Sequence, residues 1–452
     1  MNLKQIINII EGDLLKKGKV KNFNKIRIDT KKVKENDVFI AIEGKTKNGH
    51  DFIEEAIKNK AALIIIDKDI KIKSNVSVIK VKNTLEALYS LARYKRSLFN
   101  IPLIAITGSV GKTSTKEIIS KILKTKYKVL KSKGNYNNHI GLSMTLLDLD
   151  ESYDVIVVEL GMNHLKEISH LSNICKPDIA LITNIGTSHI GNLKSQKNIL
   201  KAKLEIIDGM SEGFLFVNGD DKFLKEIDIS NNVRLIKIKN RYKYKNGVLK
   251  YILNKKDYEI KISNKYLINN NLLAIEIGLM FDIDVEEIIK AINNYKYPKQ
   301  RLEEIKLVND ITLIDDAYNS SYESLLTSLE NLKNIKKKKI IILGDILELG
   351  DYSVNIHKKI GKKIKKYKFE KLLLVGNDVY QVYLKNKKRS IYFKDNDELI
   401  CYLKKFKYQD KTILLKASRG MHLEKVRDFL EEQYSWHIVF FLHFLYNVMA
   451  RR

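Results

Sequence analysis

Thr107-Gly108-Ser109-Val110-Gly111-Lys112-Thr113-Ser114 is the stretch of this chain whose residue types and spacing most directly imply chemistry. Two glycines let backbone N–H groups converge on a polyphosphate, and a helix N-terminus adds positive partial charge. Lys112 can neutralise phosphate oxygens, and the Thr113 hydroxyl is placed to hold Mg2+. The first glycine of the common phosphate loop is missing, because Ile106 stands five residues before Gly111. The shorter form T-G-S-x-G-K-T reads as a nucleotide-triphosphate site. Glu159 and His189 are the acidic and imidazole groups that such a site needs beside its loop. Taken singly, they read as a solvated strand end and a satisfied loop histidine; their shared place at strand ends favours function.

The elements that must position these groups follow from apolar patterning. Apolar runs at Ile101 to Thr107, Asp154 to Glu159, Asp178 to Thr183 and Phe214 to Val217 alternate with helical patterns. Runs apolar on both faces suit a buried parallel sheet, with ligands at its carboxyl edge. Residues 1–98 form a separate α/β unit with strands at Val38 to Ile42 and Ala62 to Ile66, closed by a helix near Thr84 to Leu98. The central unit covers 99–296. A third unit, 297–433, repeats the alternation at Thr312 to Asp315, Lys339 to Leu343, Lys371 to Val375 and Thr412 to Lys416. Lys336 to Lys339 read as a solvated loop ahead of a strand.

The chain has 452 residues and a net charge of +28, enough for several domains and a field that could draw nucleic acid or anionic membranes. The lysines are scattered over helix faces and are not gathered beside aromatics, so specific nucleic-acid binding is not expected, whereas steering of anionic small substrates is. Two cysteines, Cys175 and Cys401, exclude a disulfide framework. With no charged-then-apolar leader at the N-terminus, a reducing cytoplasm is the expected compartment. Residues 434–452 hold an apolar run of 16 residues from Ser435 to Ala450, short of the roughly 20 that a membrane helix needs. The run reads as a packed terminal helix, an atypical end of the reading frame or an interfacial anchor giving weak membrane-surface contact.

Further motifs carry a resemblance: Gly134-Asn-Tyr-Asn-Asn138 followed by Gly141, Glu159-Leu-Gly-Met162, Asp315-Asp-Ala-Tyr-Asn319, Leu343 to Gly350 and Lys416-Ala-Ser-Arg-Gly420. With the phosphate loop, they make the chain similar to the Mur ligase family from about residue 24 to 430. Within it, the chain resembles the MurF type, which adds D-alanyl-D-alanine to UDP-N-acetylmuramoyl-tripeptide. The resemblance implies an α/β, three-domain architecture with a central P-loop-type parallel sheet and a Rossmann-like C-terminal domain. It implies a monomeric, ATP- and Mg2+-dependent ligase acting through an acyl phosphate.

Residue by residue, the resemblance assigns Lys112 and the loop Thr107 to Ser114 to the ATP phosphates, Thr113 and Glu159 to Mg2+, and His189 to a second Mg2+ or its shell. Lys203 matches a family lysine that can be carbamoylated; otherwise it is a plain surface lysine. Asn271 matches the asparagine near adenine. Arg301, Asp315 and Asp316 match contacts that the third domain brings to the nucleotide. Asn135 and Asn138 fall where the muramoyl substrate lies, Tyr318 and Asn319 in the substrate motif of the third domain, and Asp29-Thr30-Lys31 and Gly49-His50 in the uridine-side motifs. The chain departs from the pattern at Asn48 (usually Asp), Gly191 (usually Glu), Leu267 to Asn270 (where a histidine is expected) and Tyr322 (usually Pro). The rivals are a sister ligase adding the third amino acid, a folylpolyglutamate synthase, and a non-catalytic scaffold; an intact Lys112, Thr113, Glu159 and His189 set disfavours the last. Lysine or diaminopimelate as the tripeptide's third residue stays open.

Overall fold

A computed structural model describes residues 1–434 apart from 230–231, 240–241, 246, 254–255, 263–266, 297–298 and 406–407. The expectations for 435–452, and the boundary at Pro298, lie outside the described residues.

Three main sheets are stacked along the chain. The first orders its strands Asp13–Lys16, Ser77–Lys80, Leu63–Ile66, Val38–Ile40 and Ile26–Arg27, parallel except for the first. The central sheet runs Val233–Ile238, Gly213–Asn218, Ile179–Ile182, Leu103–Thr107, Val155–Glu159 and Val129–Lys131, all parallel. Its middle strands are buried at every position, which explains their unbroken Val, Ile and Leu runs. From Leu103–Thr107 the chain passes to the edge strand Val129–Lys131, returns to Val155–Glu159 between the two, and then crosses to Ile179–Ile182 on the other side. The switch point therefore lies between Leu103–Thr107 and Ile179–Ile182, where ligand crevices form in such sheets. The third sheet has an antiparallel edge strand, Glu303–Leu307, followed by five parallel strands: Ile311–Asp315, Lys411–Lys416, Lys338–Gly344, Lys371–Val375 and Ser390–Phe393.

The strand there begins at Lys338, so half of the expected lysine loop is sheet, with Lys338 and Lys339 paired to Lys411 and Thr412. A small antiparallel sheet of Tyr242–Lys245, Val248–Leu253 and Lys256–Lys261 covers the central domain and was not expected from the sequence.

Arg96, buried in the helix Thr84–Ser97, ties the first unit to the second. Its guanidinium donates to the carbonyls of Cys175 (3.1 Å) and Phe99 (2.6 Å) and to Asp178 Oδ2 (3.0 Å). Asp178 also accepts from Leu103 N at 2.7 Å, which fixes the start of the phosphate-loop strand. Both cysteines are free; burial pushes the Cys175 thiol up to about 12, so it stays protonated and unreactive. Among the described residues, no helix is long and apolar enough to cross a membrane.

Candidate active site

The phosphate loop leaves the sheet at Thr107 and enters the helix Lys112–Leu123. Gly108 (φ 147°) and Gly111 (φ 87°) take backbone conformations that side chains resist. A Cβ at Gly108 would lie 1.8 Å from Thr183 Oγ1. The neighbouring strand's exit loop frames the turn: Asn184 O accepts from Ser109 N (3.0 Å), Asn184 Oδ1 from Val110 N (3.0 Å), and Thr183 Oγ1 donates to Val110 O (2.7 Å). Lys112 Nζ donates to Gly108 O at 2.8 Å, curled over the loop where a phosphate would take its place. Burial lowers its pKa, opposed by Glu159 and Glu348 and reinforced by Arg301.

Glu159 ends its strand almost fully buried. Thr113 Oγ1 donates to its Oε2 at 2.7 Å, and Asn137 Nδ2 to its Oε1 at 2.9 Å. Hydroxyl and carboxylate oxygens side by side suit a hard cation that keeps phosphate and water ligands. Lys116, with no exposed surface, donates to the carbonyls of Ser132 (2.6 Å) and Gly134 (3.3 Å) and so holds the loop carrying Asn135, Asn137 and Asn138. Asn138 caps the helix His139–Leu147 through Gly141 N at 2.8 Å.

His189 adopts φ 62°, and its Nδ1 lies 2.6 Å from Glu348 Oε2 of the third domain. The imidazole holds the Glu348 carboxyl below its ordinary range. The third domain meets the central one here: Gly191 N donates to Glu348 O (3.1 Å), and Tyr352 Oη to Lys194 O (2.5 Å). Gly191 explains its own identity, since a Cβ would lie 2.7 Å from both Glu348 O and Gly350 N.

These groups line one cleft of about 380 Å³. Lys112, Thr113, Glu159 and His189 face Arg301, Tyr318, Asn319, Glu348 and Arg419 across it. Both guanidiniums stack on Tyr318, 4.4 Å away for Arg301 and 5.2 Å for Arg419. Ser320 Oγ is buried here without a partner among the described residues. Two further cavities adjoin. One, about 310 Å³, lies between the phosphate loop, Asn269, Asn270, Arg301 and Asp316. The other, about 390 Å³, lies between Arg27, Asp29 and Lys32 of the first unit and Asn135, Tyr136 and Asn138 of the second.

Not every expected residue reaches a cavity. Asn271 turns its amide back to Leu267 O (2.7 Å), and its neighbours Asn269 and Asn270 line the pocket instead. Asp315 is buried against Ala317 N (3.0 Å) and Arg427 (3.4 Å), and burial raises its pKa; Asp316, paired with Lys416 at 2.9 Å, is the one at the pocket. Of Asp29, Thr30 and Lys31, only Asp29 lines the cavity, while Lys31 N donates to its carboxylate. His50 is structural: Asn48 Oδ1 accepts from its backbone N–H (3.1 Å) and lies 2.8 Å from its Nδ1, while its Nε2 lies 3.1 Å from Asp67 Oδ1. An asparagine therefore serves in place of the usual aspartate there. Lys203 is 2% exposed, so the plain surface reading is excluded; burial, then Lys112, drives its pKa well below normal. Sequence reasoning assigned no role to Asn137, Glu348 or Lys116. Asn137 lies within Gly134 to Asn138 and Glu348 within Leu343 to Gly350, and for Lys116 the signal is its place one helical turn beyond Lys112.

Comparison with known proteins matches three family profiles: "Mur ligase family, catalytic domain" over 22–96, "Mur ligase middle domain" over 106–292 and "Mur ligase, glutamate ligase domain" over 300–419. The UDP-N-acetylmuramoyl-tripeptide--D-alanyl-D-alanine ligase of Bacillus subtilis (strain 168) is 34% identical over 91% of this chain and 94% of its own length. A crystal structure of MurF from Acinetobacter baumannii superposes with a TM-score of 0.85 at 26% identity, covering 95% of this chain and 98% of that one. MurF ligase from Thermotoga maritima in complex with ADP gives 0.79 at 26% identity, covering 90% and 97%. With this likeness running through all three sheets and the cleft they enclose, the chain belongs to the Mur ligase family.

Proposed function

We infer that this chain is the ATP-dependent ligase that joins D-alanyl-D-alanine to UDP-N-acetylmuramoyl-tripeptide in the synthesis of the peptidoglycan precursor. One observation carries the reading. A single cleft meets the phosphate loop on one wall and Arg301, Tyr318 and Arg419 of the third domain on the other, in a fold shared with a MurF ligase that binds ADP.

A carboxylate is a poor electrophile, and ATP activates it. The γ-phosphoryl passes to the tripeptide's terminal carboxylate, giving an acyl phosphate and ADP. The amine of D-alanyl-D-alanine attacks the acyl carbon, and the C–O bond to phosphate breaks as the amide forms. Lys112 neutralises charge on the moving phosphoryl, and Arg301 adds positive charge from the opposite wall. The acyl phosphate would be hydrolysed in open water, and the contacts His189–Glu348 and Gly191–Gly350 bring the third domain down beside the phosphate loop.

Mg2+ would be held by Thr113 and Glu159, with His189 beside it, and would supply Lewis-acid stabilisation of phosphate charge. Lys203 is proposed as a carbamate. Burial favours the neutral amine, the form that adds CO2, and the anionic product would be drawn towards Lys112. The cavity beside Asn269 and Asn270 is assigned to the nucleotide base and ribose; the one between Asp29 and Asn138 is assigned to the UDP-muramoyl end. Asn271 would act through the helix that carries its two neighbours. Domain limits of 1–98, 99–296 and 297–433, a monomeric state and a cytoplasmic setting complete the proposal. Weak membrane contact through 434–452 is tested by co-sedimentation with anionic vesicles, with and without that segment.

Phosphate release is the deciding assay. It should require the muramoyl tripeptide and D-alanyl-D-alanine together. Turnover with a folate and glutamate, or with a free diamino acid and the muramoyl dipeptide, would overturn the assignment.

A further inference from the structure

The turn Gly186-Thr187-Ser188-His189 belongs to the central domain, yet a side chain of the third domain grips it. Glu323, in the first turn of the helix Tyr322–Asn331, accepts from Thr187 N at 3.0 Å with Oε1 and from Thr187 Oγ1 at 3.1 Å with Oε2. Its carboxylate lies flat against Gly186, where a Cβ would come within 2.7 Å of Cδ. The same turn braces the phosphate loop, since Gly186 N donates to Ser109 Oγ (2.8 Å) and Ser188 Oγ to Ser109 O (3.3 Å). Three residues beyond Gly186 stands His189.

We propose that Glu323 is a positioning residue: it clamps the turn between the phosphate loop and His189, and so makes their catalytic placement depend on docking of the third domain. The inference rests on the ligase reading for its effect on turnover, but not for the clamp itself. A two-pronged carboxylate fixes both the height and the tilt of the turn. Each Glu323 oxygen keeps a second lone pair and Glu323 borders the nucleotide cavity, so KM for ATP is the readout that separates the clamp from a direct nucleotide contact. Gly186 is not in the left-handed region, so closeness to Glu323 is what a side chain there would meet.

The test is a double-mutant cycle on the full chain. Glu323→Ala and Gly186→Ala should each lower kcat by about 10- to 100-fold, the loss expected when reacting groups shift by about an ångström, with KM for ATP unchanged. Because both break one contact, the double variant should be no worse than the weaker single one. Glu323→Gln can accept from Thr187 N–H and donate to Thr187 Oγ1, and should recover most of kcat. Multiplicative losses, a rise in KM for ATP, or no rescue by Gln would overturn the clamp. Hydrogen exchange needs no turnover and separates this idea from the ligase reading. The Thr187 amide should exchange faster in Glu323→Ala than in the parent with ADP present; equal rates would sink the clamp even in a fully active ligase, and a faster rate would support it even if the substrates proved different.

Discussion

Lys112 and Lys203 show how burial gives the same residue type two uses. Lys112 keeps a backbone acceptor and the fields of Glu159 and Glu348, which oppose the lowering of its pKa by burial and Arg301. Lys112→Ala is expected to leave the melting temperature nearly unchanged and to cut turnover by about 100-fold or more, as at other electrostatic groups of this kind. Lys203 is almost fully buried, and burial, then Lys112, depresses its folded-state pKa. The unfolded chain therefore binds more protons between that lowered pKa and about 10.4, and stability should rise with pH across this window. Lys203→Met, in buffer free of bicarbonate, should abolish turnover while stabilising the fold most at pH below the window, where the buried ammonium is charged. The charge-linked part of the gain should vanish above it. Denaturant melts at several pH values check the sign; a loss of stability at neutral pH would mean that Lys203 is charged and paired. Short carboxylic acids should restore part of the activity of Lys203→Ala if the working form is a carbamate.

At the scale of elements, the strand, loop and helix from Leu103 to Leu123 were legible because local sterics settle them. Gly108→Ala should lower both stability and nucleotide affinity, since φ 147° alone costs about 1–3 kcal/mol for a side chain and the Cβ would overlap Thr183. A thermal melt and ADP titration would register both. Buried parallel strands were equally readable: Lys371–Val375 of the third sheet matches residue for residue, and the strands of the central sheet agree within one or two positions. The antiparallel sheet over 242–261 escaped notice. Its strand Lys256–Lys261 keeps one buried residue, Ile260, among lysines and acids, so alternation was too faint to register. Within the site, Lys112, Thr113, Glu159 and His189 were readable because motifs fix them next to strand ends. The partnership of His189 with Glu348 was not, because the two residues lie in loops that follow strands of different sheets and only docking of the domains brings them together. Asn271 shows the opposite limit: a matched position was found, but a helix rotation of one residue decides which side chain faces the pocket.

For the molecule as a whole, function depends on a seam of very small residues. Gly350 (φ 51°) and Gly191 bring backbone against backbone, and Glu348 reaches His189 only because they do. The carboxylate beside the histidine comes from the third domain. Gly191→Ala tests that dependence. The added methyl would sit 2.7 Å from Glu348 O and Gly350 N, both backbone atoms that cannot swing aside as a side chain would. The third domain would have to back away, carrying Arg301, Tyr318 and Arg419 from the phosphate loop. Each domain keeps its own buried sheet, so unfolding should change little, whereas small-angle scattering in the presence of nucleotide should show a larger radius of gyration and kcat should fall by at least about tenfold. Compact scattering with full activity would mean that the seam tolerates a side chain and that closure is held elsewhere, with Arg96 and Asp178 securing only the other end of the molecule.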